Sequence, residues 1–304
     1  MEPFRSILVD VDASAPIDQA FERSVRLARR TGARLTIVDV MSIPGYARRQ
    51  LPPDIEEQLV ADKRRALAAL AESTAGVSAE SKLLFGRPAT ALIREVLAGG
   101  HDLLVRSHDR DRSAPETRGL DAVDMELLRE CPCPLLLSRR TSAAEHPRIV
   151  GAVNAETDDA TEQELNARIA MTTRMMAELE DGMPMLLHAW APFAEGMIRT
   201  RASDTAFAGY VDSVRQRAAS DAATLVDSVG GSPPLTAELR RGKPEDVIPE
   251  FVVSEAIDLV VMGTVARTGI AGLLIGNTAE RVLHRLPCSV MAVKPAGFVS
   301  PVKE

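Results

Sequence analysis

The feature that most constrains the fold of this chain is an internal repeat. Four short segments of the first half recur in the second half, in the same order. They are residues 5–12 and 147–154, 86–88 and 242–244, 101–105 and 257–261, and 131–133 and 286–288. Because a duplicated chain contains two copies of one structural unit, we predict two homologous domains, residues 1–143 and 144–304. At 304 residues the chain is long enough for each copy to bury its own core.

Each half alternates short apolar runs with longer amphipathic segments, which is the pattern of βα units. We predict strands at residues 7–11, 35–40, 81–85, 102–105 and 134–137, and at 149–153, 185–189, 235–239, 259–262 and 289–293. We predict helices at residues 17–31, 54–75, 89–98 and 124–130, and at 161–179, 206–229, 244–256 and 277–286. Right-handed crossovers place helices on both faces of a parallel sheet, so the sequence predicts an α/β fold.

Residues 259–293 form the most informative unit of the second half. An apolar run ends at Met262, a loop containing glycine follows, and a helix is predicted from Asn277 to the residue before Pro287. Asn277 and Glu280 have the spacing of a capping box, in which the N-cap side chain and a carboxylate three residues later each bond to the backbone amide of the other residue. Loops between a parallel strand and the next helix lie at the carboxyl edge of the sheet, where such folds bind ligands. We therefore expect a ligand site at this edge.

The same stretch resembles the signature of the universal stress protein family, in which spaced glycines and a Ser or Thr wrap the phosphates of ATP. Gly263 and Gly276 match the first and third glycines, Ala266 stands at the second, and Asn277 stands where Ser or Thr is usual. The likeness is to the tandem, E-type members. It implies two tandem, doubly wound, five-stranded parallel-sheet domains like those of the adenine nucleotide alpha-hydrolases, which face each other as an internal pseudo-dimer.

Charge distinguishes the two halves at the start of their last helix. Where the second half has Gly276, the first half has Asp121, followed by Asp124 and Glu126. A helix N-terminus attracts phosphate through its free amides and partial positive charge, whereas carboxylates placed there repel phosphate and occupy the amides. We therefore predict that the first half does not bind ATP in this way.

The predicted ligand site lies in the second half. It requires no cofactor, and its expected ligand is ATP with Mg²⁺. Its residues are Asn154, His188, Gly263, Thr264, Arg267, Gly276, Asn277 and Thr278. Resemblance to the family places Asn154 where ATP-binding relatives have an Asp against the adenine. The alternative is structural: the glycines only permit tight turns, Asn277 only caps a helix, Arg267 is exposed or salt-bridged, and His188 is a packed histidine.

The sequence contains no pattern typical of an enzyme. Its five histidines lack metal-ligand spacing, and no serine lies in a nucleophile elbow. We expect the three cysteines to be small buried hydrophobes. A net charge of −7 without a long basic run argues against an extended nucleic-acid surface. No apolar run is long enough to cross a bilayer and the N-terminus does not resemble a signal peptide, so we expect a cytoplasmic protein.

Three functions remain open from the sequence. The leading hypothesis is a non-enzymatic cytoplasmic stress-response protein with an adenine-nucleotide site in its second domain. The second is an ATP hydrolase or nucleotide switch that uses the same cleft. The third is a carrier of an apolar or amphipathic ligand, suggested by the methionines in residues 171–176 and 183–185, although such methionines also suit core packing.

The final strands of the two halves, residues 134–137 and 289–293, carry a further prediction. In the family topology each would lie at the edge of its sheet, where unpaired N–H and C=O groups accept a partner strand. We predict that these two edges face each other within the chain or pair between chains in a homodimer.

Overall fold

The computed structural model describes residues 2–107, 120–139, 145–264 and 275–303. In the first half it contains β1 (Ser6–Asp10), α1 (Gln19–Thr31), β2 (Arg34–Met41), α2 (Gly45–Arg48), α3 (Pro53–Ser73), β3 (Ala79–Phe85), α4 (Pro88–Gly99), β4 (Leu103–Ser107), α5 (Ala122–Glu130) and β5 (Leu135–Ser138). In the second half it contains β6 (Arg148–Val153), α6 (Ala160–Glu180), β7 (Met183–Trp190), α7 (Glu195–Arg199), α8 (Asp204–Val229), β8 (Thr236–Arg241), α9 (Pro244–Ser254), β9 (Leu259–Gly263), α10 (Asn277–Leu283) and β10 (Ser289–Val293). Apart from the short helices α2 and α7, which were not predicted, the alternation of strands and helices is the predicted one.

Helix α1 illustrates how local sequence sets these elements. The carboxylate of Asp18 accepts a hydrogen bond from the Phe21 amide at 2.9 Å, which caps the first turn. The helix ends at Gly32, whose φ of 70° lies in the left-handed region that glycine adopts at low cost. Phe21 and Val25 lie on the buried face, as the amphipathic pattern predicts.

The strands of both halves join in one ten-stranded sheet with the order β3-β2-β1-β4-β5-β10-β9-β6-β7-β8. Within each half all pairs of strands are parallel, and helices cover both faces, so the predicted α/β, doubly wound fold class is confirmed. Strands β5 and β10 pair antiparallel, with Leu136 opposite Met291. Since Met291 is the repeat counterpart of Leu136, the junction has the symmetry of a twofold interface.

This pairing decides between the two expectations for the final strands. They face each other within the chain, as predicted, because β10 lies between β5 and β9 and β5 lies between β4 and β10. A homodimer through these strands is therefore a wrong expectation, since neither strand has a free side left to pair with a second copy. In the described sheet the outer strands are β3 and β8.

The hydrophobic core is shared by the two halves. On one face of the sheet Leu136 and Met291 belong to a single buried cluster that extends from α1 to α6. On the other face Leu137 and Val290 belong to a second cluster that extends from α4 to α9. Met175 and Met176 are buried in the first cluster, which agrees with the core-packing interpretation of the methionine-rich segment.

A cation that follows each final strand reaches into the opposite half. Arg139 donates from Nη1 to the carbonyl oxygen of Leu286 at 2.7 Å. Lys294, the repeat counterpart of Arg139, donates from Nζ to the carbonyl oxygens of Leu128 and, at 3.4 Å, Arg129. Carbonyl groups at the C-terminus of a helix favour cations, so these contacts tie the two halves together where α5 and α10 end.

Candidate functional site

The ligand-binding edge of this fold is built twice. In the first half it lies where β1 and β4 end, and in the second half where β6 and β9 end. The two copies have the same register, since Asp10 lies beside Arg106 in β1 and β4 and Ala152 lies beside Met262 in β6 and β9. Differences between the copies therefore come from side chains.

A buried guanidinium occupies the edge of the first half. Arg106 is only 4% exposed and bonds to Asp10 at 3.2 Å, to Asp121 at 3.0 Å and to Asp124 at 2.7 Å. Charge-assisted hydrogen bonds of this kind are short and strong, and they compensate the cost of burying Asp10, Arg106 and Asp124, whereas Asp121 stays exposed. This cluster, Asp10, Arg106, Asp121 and Asp124, is called the carboxylate cluster below.

The carboxylate cluster also caps α5. The Asp121 side chain accepts a hydrogen bond from the Asp124 amide at 2.6 Å, and the Asp124 side chain accepts one from the Asp121 amide at 3.3 Å. The prediction that carboxylates occupy the amides of this helix is thus confirmed, and they form a complete capping box. That the first half does not bind ATP remains a prediction.

Sequence reasoning missed Arg106. A signal was present, because an arginine within an otherwise apolar strand requires a buried partner. Asp10, at the end of another apolar strand of the same half, was the residue to pair with it. Only the register of β1 against β4 shows that the two residues are neighbours.

Uncharged residues replace the carboxylate cluster in the second half. The counterparts of its four members are Ala152, Met262, Gly276 and Ala279. Helix α10 begins with Gly276 as its N-cap, and no side chain of the described residues bonds to its first amides. This helix N-terminus therefore carries partial positive charge, and no carboxylate of the described residues caps it.

The predicted capping role of Asn277 is wrong. The Gly276 carbonyl oxygen accepts the Glu280 amide at 2.9 Å, so the helix starts one residue earlier than the sequence pattern indicated. Asn277 is the first helical residue, its side chain is exposed, and the capping box with Glu280 is not formed. The side chains of Asn277 and of the exposed Thr278 therefore have no capping role at this terminus.

Gly263 and Thr264 lie at the end of β9 and have structural roles. A β-carbon on Gly263 would lie 2.7 Å from a methyl carbon of Leu165, so glycine permits α6 to pack closely here. Thr264 is buried, donates from its hydroxyl to the Leu128 carbonyl oxygen at 3.2 Å and accepts from Lys294 at 3.1 Å. Its carbonyl oxygen accepts the Gly276 amide at 3.2 Å, which brings the two ends of the loop together. Arg267 and Ala266 lie outside the described residues.

Asn154 and His188 lie at the same edge. Asn154 follows β6, and His188 in β7 pairs with Val153 of β6, on the side of β6 away from β9. The side-chain amide of Asn154 donates to Glu162 at 3.0 Å, so a bound adenine would compete with this contact. His188 is 1% exposed, and its Nδ1 lies 3.4 Å from the amide nitrogen of Ala155. Its repeat counterpart, Asp39, accepts the equivalent amide, that of Ala13, at 2.9 Å. This shared contact favours the packed-histidine interpretation.

One polar atom remains available in this group. The Nε2 atom of His188 is buried and has no hydrogen-bond partner among the described residues. The nearest ionised group is the Glu156 carboxylate, 3.6 Å away. Of the eight predicted site residues, the structure thus brings seven to one edge of the sheet, and three of them, Asn154, His188 and Thr264, already have intramolecular contacts.

A second cleft lies between α1 and α6, with a volume of about 520 Å³. Charged side chains dominate its lining, and they include Glu22, Arg23, Arg26, Arg30, Glu180 and Asp181. Arg23 and Glu180 form a buried bidentate pair across the two halves at 2.6 and 2.7 Å. Such a lining does not suit an apolar ligand, so this interdomain cleft gives the carrier hypothesis no support.

The described residues contain neither a cluster of metal ligands nor a membrane-spanning helix. No group of three or more His, Cys, Asp or Glu side chains comes together there in a way that could hold a metal ion. No helix in the described ranges is long and apolar enough to span a membrane.

Comparison with known proteins agrees with this architecture. The chain is 28% identical to Universal stress protein E of Escherichia coli strain K12 over 312 residues, covering 100% of this chain and 98% of that protein. It is 27% identical to the Universal stress protein E homolog of Haemophilus influenzae, covering 96% and 98% of the two chains.

Solved structures share the fold. A Pseudomonas aeruginosa protein described as functionally unknown superposes with a TM-score of 0.71 at 24% identity, covering 98% of this chain and 95% of that one. A universal stress protein from Archaeoglobus fulgidus gives 0.62 at 13% identity, covering 95% and 98%. A sequence model of the universal stress protein family matches residues 3–139 and 149–294. This chain therefore belongs to the universal stress protein family.

Proposed function

We propose that this protein acts in the stress response in the cytoplasm by binding an adenine nucleotide in its second domain. In this proposal it is not an enzyme that hydrolyses the nucleotide. The domains are divided between residues 143 and 144. The nucleotide lies at the carboxyl ends of β6 and β9, with its phosphates at Gly263, Gly276, Asn277 and Thr278 and its adenine near Asn154 and His188.

The observation that carries this proposal is the difference in charge between the two edges. In the first half, Asp121 and Asp124 fill the helix N-terminus with carboxylates. In the second half, Gly276 and Ala279 stand in their places, so the described residues leave the terminus of α10 open to an anion. The buried Nε2 of His188 adds a hydrogen-bonding atom that a purine nitrogen or exocyclic amine could satisfy.

The test is titration of the full-length protein with ATP and Mg²⁺, followed by native mass spectrometry and calorimetry. Gly276 has a φ of −61°, which an alanine also adopts, so Gly276→Ala adds a methyl group without charge. Gly276→Asp installs the residue of the first half. We expect wild type to bind one nucleotide, Gly276→Ala to bind with similar affinity, and Gly276→Asp to bind at least about tenfold more weakly, since a carboxylate repels phosphate and caps the helix.

Equal ATP affinity of wild type and Gly276→Asp would contradict the site. Phosphate release in the same samples tests the hydrolase alternative. Saturable release by wild type that Gly276→Asp abolishes would make the protein a nucleotide hydrolase, whereas release that is unchanged in the variant comes from another site or a contaminant.

A further inference from the structure

Two cysteines lie in contact at the start of β5. The Sγ atoms of Cys131 and Cys133 are 3.6 Å apart, and both residues are free thiols. Cys131 is fully buried, whereas Cys133 is 8% exposed. The second half has Leu286 in place of Cys131, so Cys288 lacks such a partner in sequence. Because the repeat builds the same unit with a leucine there, the fold does not require the cysteine pair.

The surroundings of the pair favour a thiolate on Cys131. The Cys133 thiol donates to the sulfur of Cys131 and lowers the pKa of Cys131, and the Cys133 amide and Lys294 act in the same direction. The same hydrogen bond and burial raise the pKa of Cys133. By contrast, burial raises the pKa of Cys288 to about 12. Of the three thiols, Cys131 is therefore the one whose pKa is lowered, and the pKa values of Cys133 and Cys288 are raised.

Lys294 supplies the positive charge beside this pair. It is 4% exposed, and its described hydrogen-bond partners are all neutral oxygen atoms, those of Leu128, Arg129 and Thr264. Burying an ammonium without an opposite charge is costly. A thiolate on Cys131 compensates this charge and raises the pKa of Lys294, which burial otherwise lowers.

We propose that Cys131 and Cys133 are a redox site at which hydrogen peroxide forms a reversible intramolecular disulfide. The Cys131 thiolate attacks one peroxide oxygen, the O–O bond breaks, and the departing hydroxide is protonated to water. The sulfur of Cys133 then attacks the resulting sulfenic acid, forms the S–S bond and expels a second hydroxide, which takes the Cys133 proton. Two thiols are oxidised, one peroxide is reduced, and two waters are released. A dithiol reductant reverses the reaction by exchange.

Geometry supports this step over separate oxidation of each cysteine. The two sulfurs need to approach by only about 1.5 Å to reach the bond length of a disulfide, about 2.05 Å. Hydrogen peroxide is similar in size to water, and Cys133 is the more exposed member of the pair. The new bond would lie directly before β5, the strand that joins the two halves.

The experiment uses the reduced full-length protein with increasing hydrogen peroxide, a quench with N-ethylmaleimide under denaturing conditions, and peptide mass spectrometry. We expect the peptide with Cys131 and Cys133 to lose both alkylation sites and to be lighter than the reduced peptide by two hydrogen atoms. Cys288 should remain alkylated and react at least about tenfold more slowly, because its thiol stays protonated. Dithiothreitol should restore both labels.

Two variants test whether disulfide formation depends on the second sulfur and on the charge of Lys294. Cys133→Ala removes the second sulfur, so Cys131 should stop at a sulfenic acid that dimedone traps. Lys294→Met should slow formation of the disulfide several-fold while Cys288 reacts at its wild-type rate. Equal oxidation rates for all three cysteines in wild type, or unlinked sulfinic acids at Cys131 and Cys133, would overturn the proposal.

Discussion

The two carboxyl edges of the sheet have the same backbone register, but they differ in charge at four equivalent positions. The first half holds a buried arginine among three aspartates, one of which caps the helix that follows. The second half has Ala152, Met262, Gly276 and Ala279 at the same places, so these four positions are uncharged. The comparison teaches that the scaffold of the repeat tolerates both solutions. We expect these four side chains to affect what each edge can bind.

The largest effect should come from removing the charge at the centre of the carboxylate cluster. Arg106→Met installs the residue of the second half and leaves three aspartates without their guanidinium partner. We expect a loss of about 3–5 kcal/mol in the free energy of unfolding, measured in urea, because breaking a buried ion cluster leaves uncompensated charge.

The control for this variant replaces all four members of the carboxylate cluster with their counterparts in the second half. Replacing all four cluster members together, with Asp10→Ala, Arg106→Met, Asp121→Gly and Asp124→Ala, should cost less than Arg106→Met alone. A single variant that loses under about 1 kcal/mol would mean that the cluster is solvated rather than buried.

A second comparison concerns the cations that follow β5 and β10. Burial lowers the pKa of Lys294 to about 8 from its ordinary value of 10.5. Between these pH values the unfolded chain therefore binds more protons than the folded one, so stability should rise as pH increases from 8 to 10.5. The rise attributable to Lys294 should be up to about 3 kcal/mol and should disappear in Lys294→Met.

Arg139 provides the matched control for this pH dependence, because a guanidinium keeps its charge throughout the range. Arg139→Met should retain the wild-type dependence on pH, whatever its absolute stability. If the free energy of unfolding in urea depends on pH in the same way for wild type and Lys294→Met, burial does not lower the pKa of Lys294.

The smallest effect compares the two helix starts. Asp121→Ala removes the cap of α5 and a contact to Arg106, so we expect a loss of about 1–2 kcal/mol. Asn277→Ala removes no cap from α10 and should change stability by less than about 0.5 kcal/mol. Thermal or urea unfolding checks both, and equal losses would mean that Asn277 caps its helix in solution.

Much of this architecture was accessible from the sequence because it depends on periodic patterns. The repeated anchors and the alternation of apolar runs predicted the α/β class. The family resemblance, which puts the final strand of each half at an edge of its sheet, predicted that β5 and β10 face each other or pair between chains, and they pair within the chain. Contacts between distant side chains were not accessible. Arg106 finds Asp10 only through the register of two strands that are separated by almost a hundred residues.

Local contacts of the candidate site residues differ from those that the sequence indicated. Asn277 was expected to cap α10 because its spacing to Glu280 fits a capping box, yet the backbone at Gly276 fixes the start one residue earlier. Thr264 was expected to face a ligand, but its hydroxyl contacts Leu128 of the other half. Such choices depend on tertiary neighbours that local spacing does not reveal.

The antiparallel junction between β5 and β10 has a consequence for how this chain can change. In a symmetric homodimer every substitution appears twice, on both sides of the interface, so the two subunits cannot diverge. Here the same twofold interface is formed by two segments encoded separately. A substitution can therefore change the charge of one half without changing the other half. Because the two halves belong to one chain, they also stay together when the protein is diluted. The junction thus holds two unlike edges in one continuous sheet.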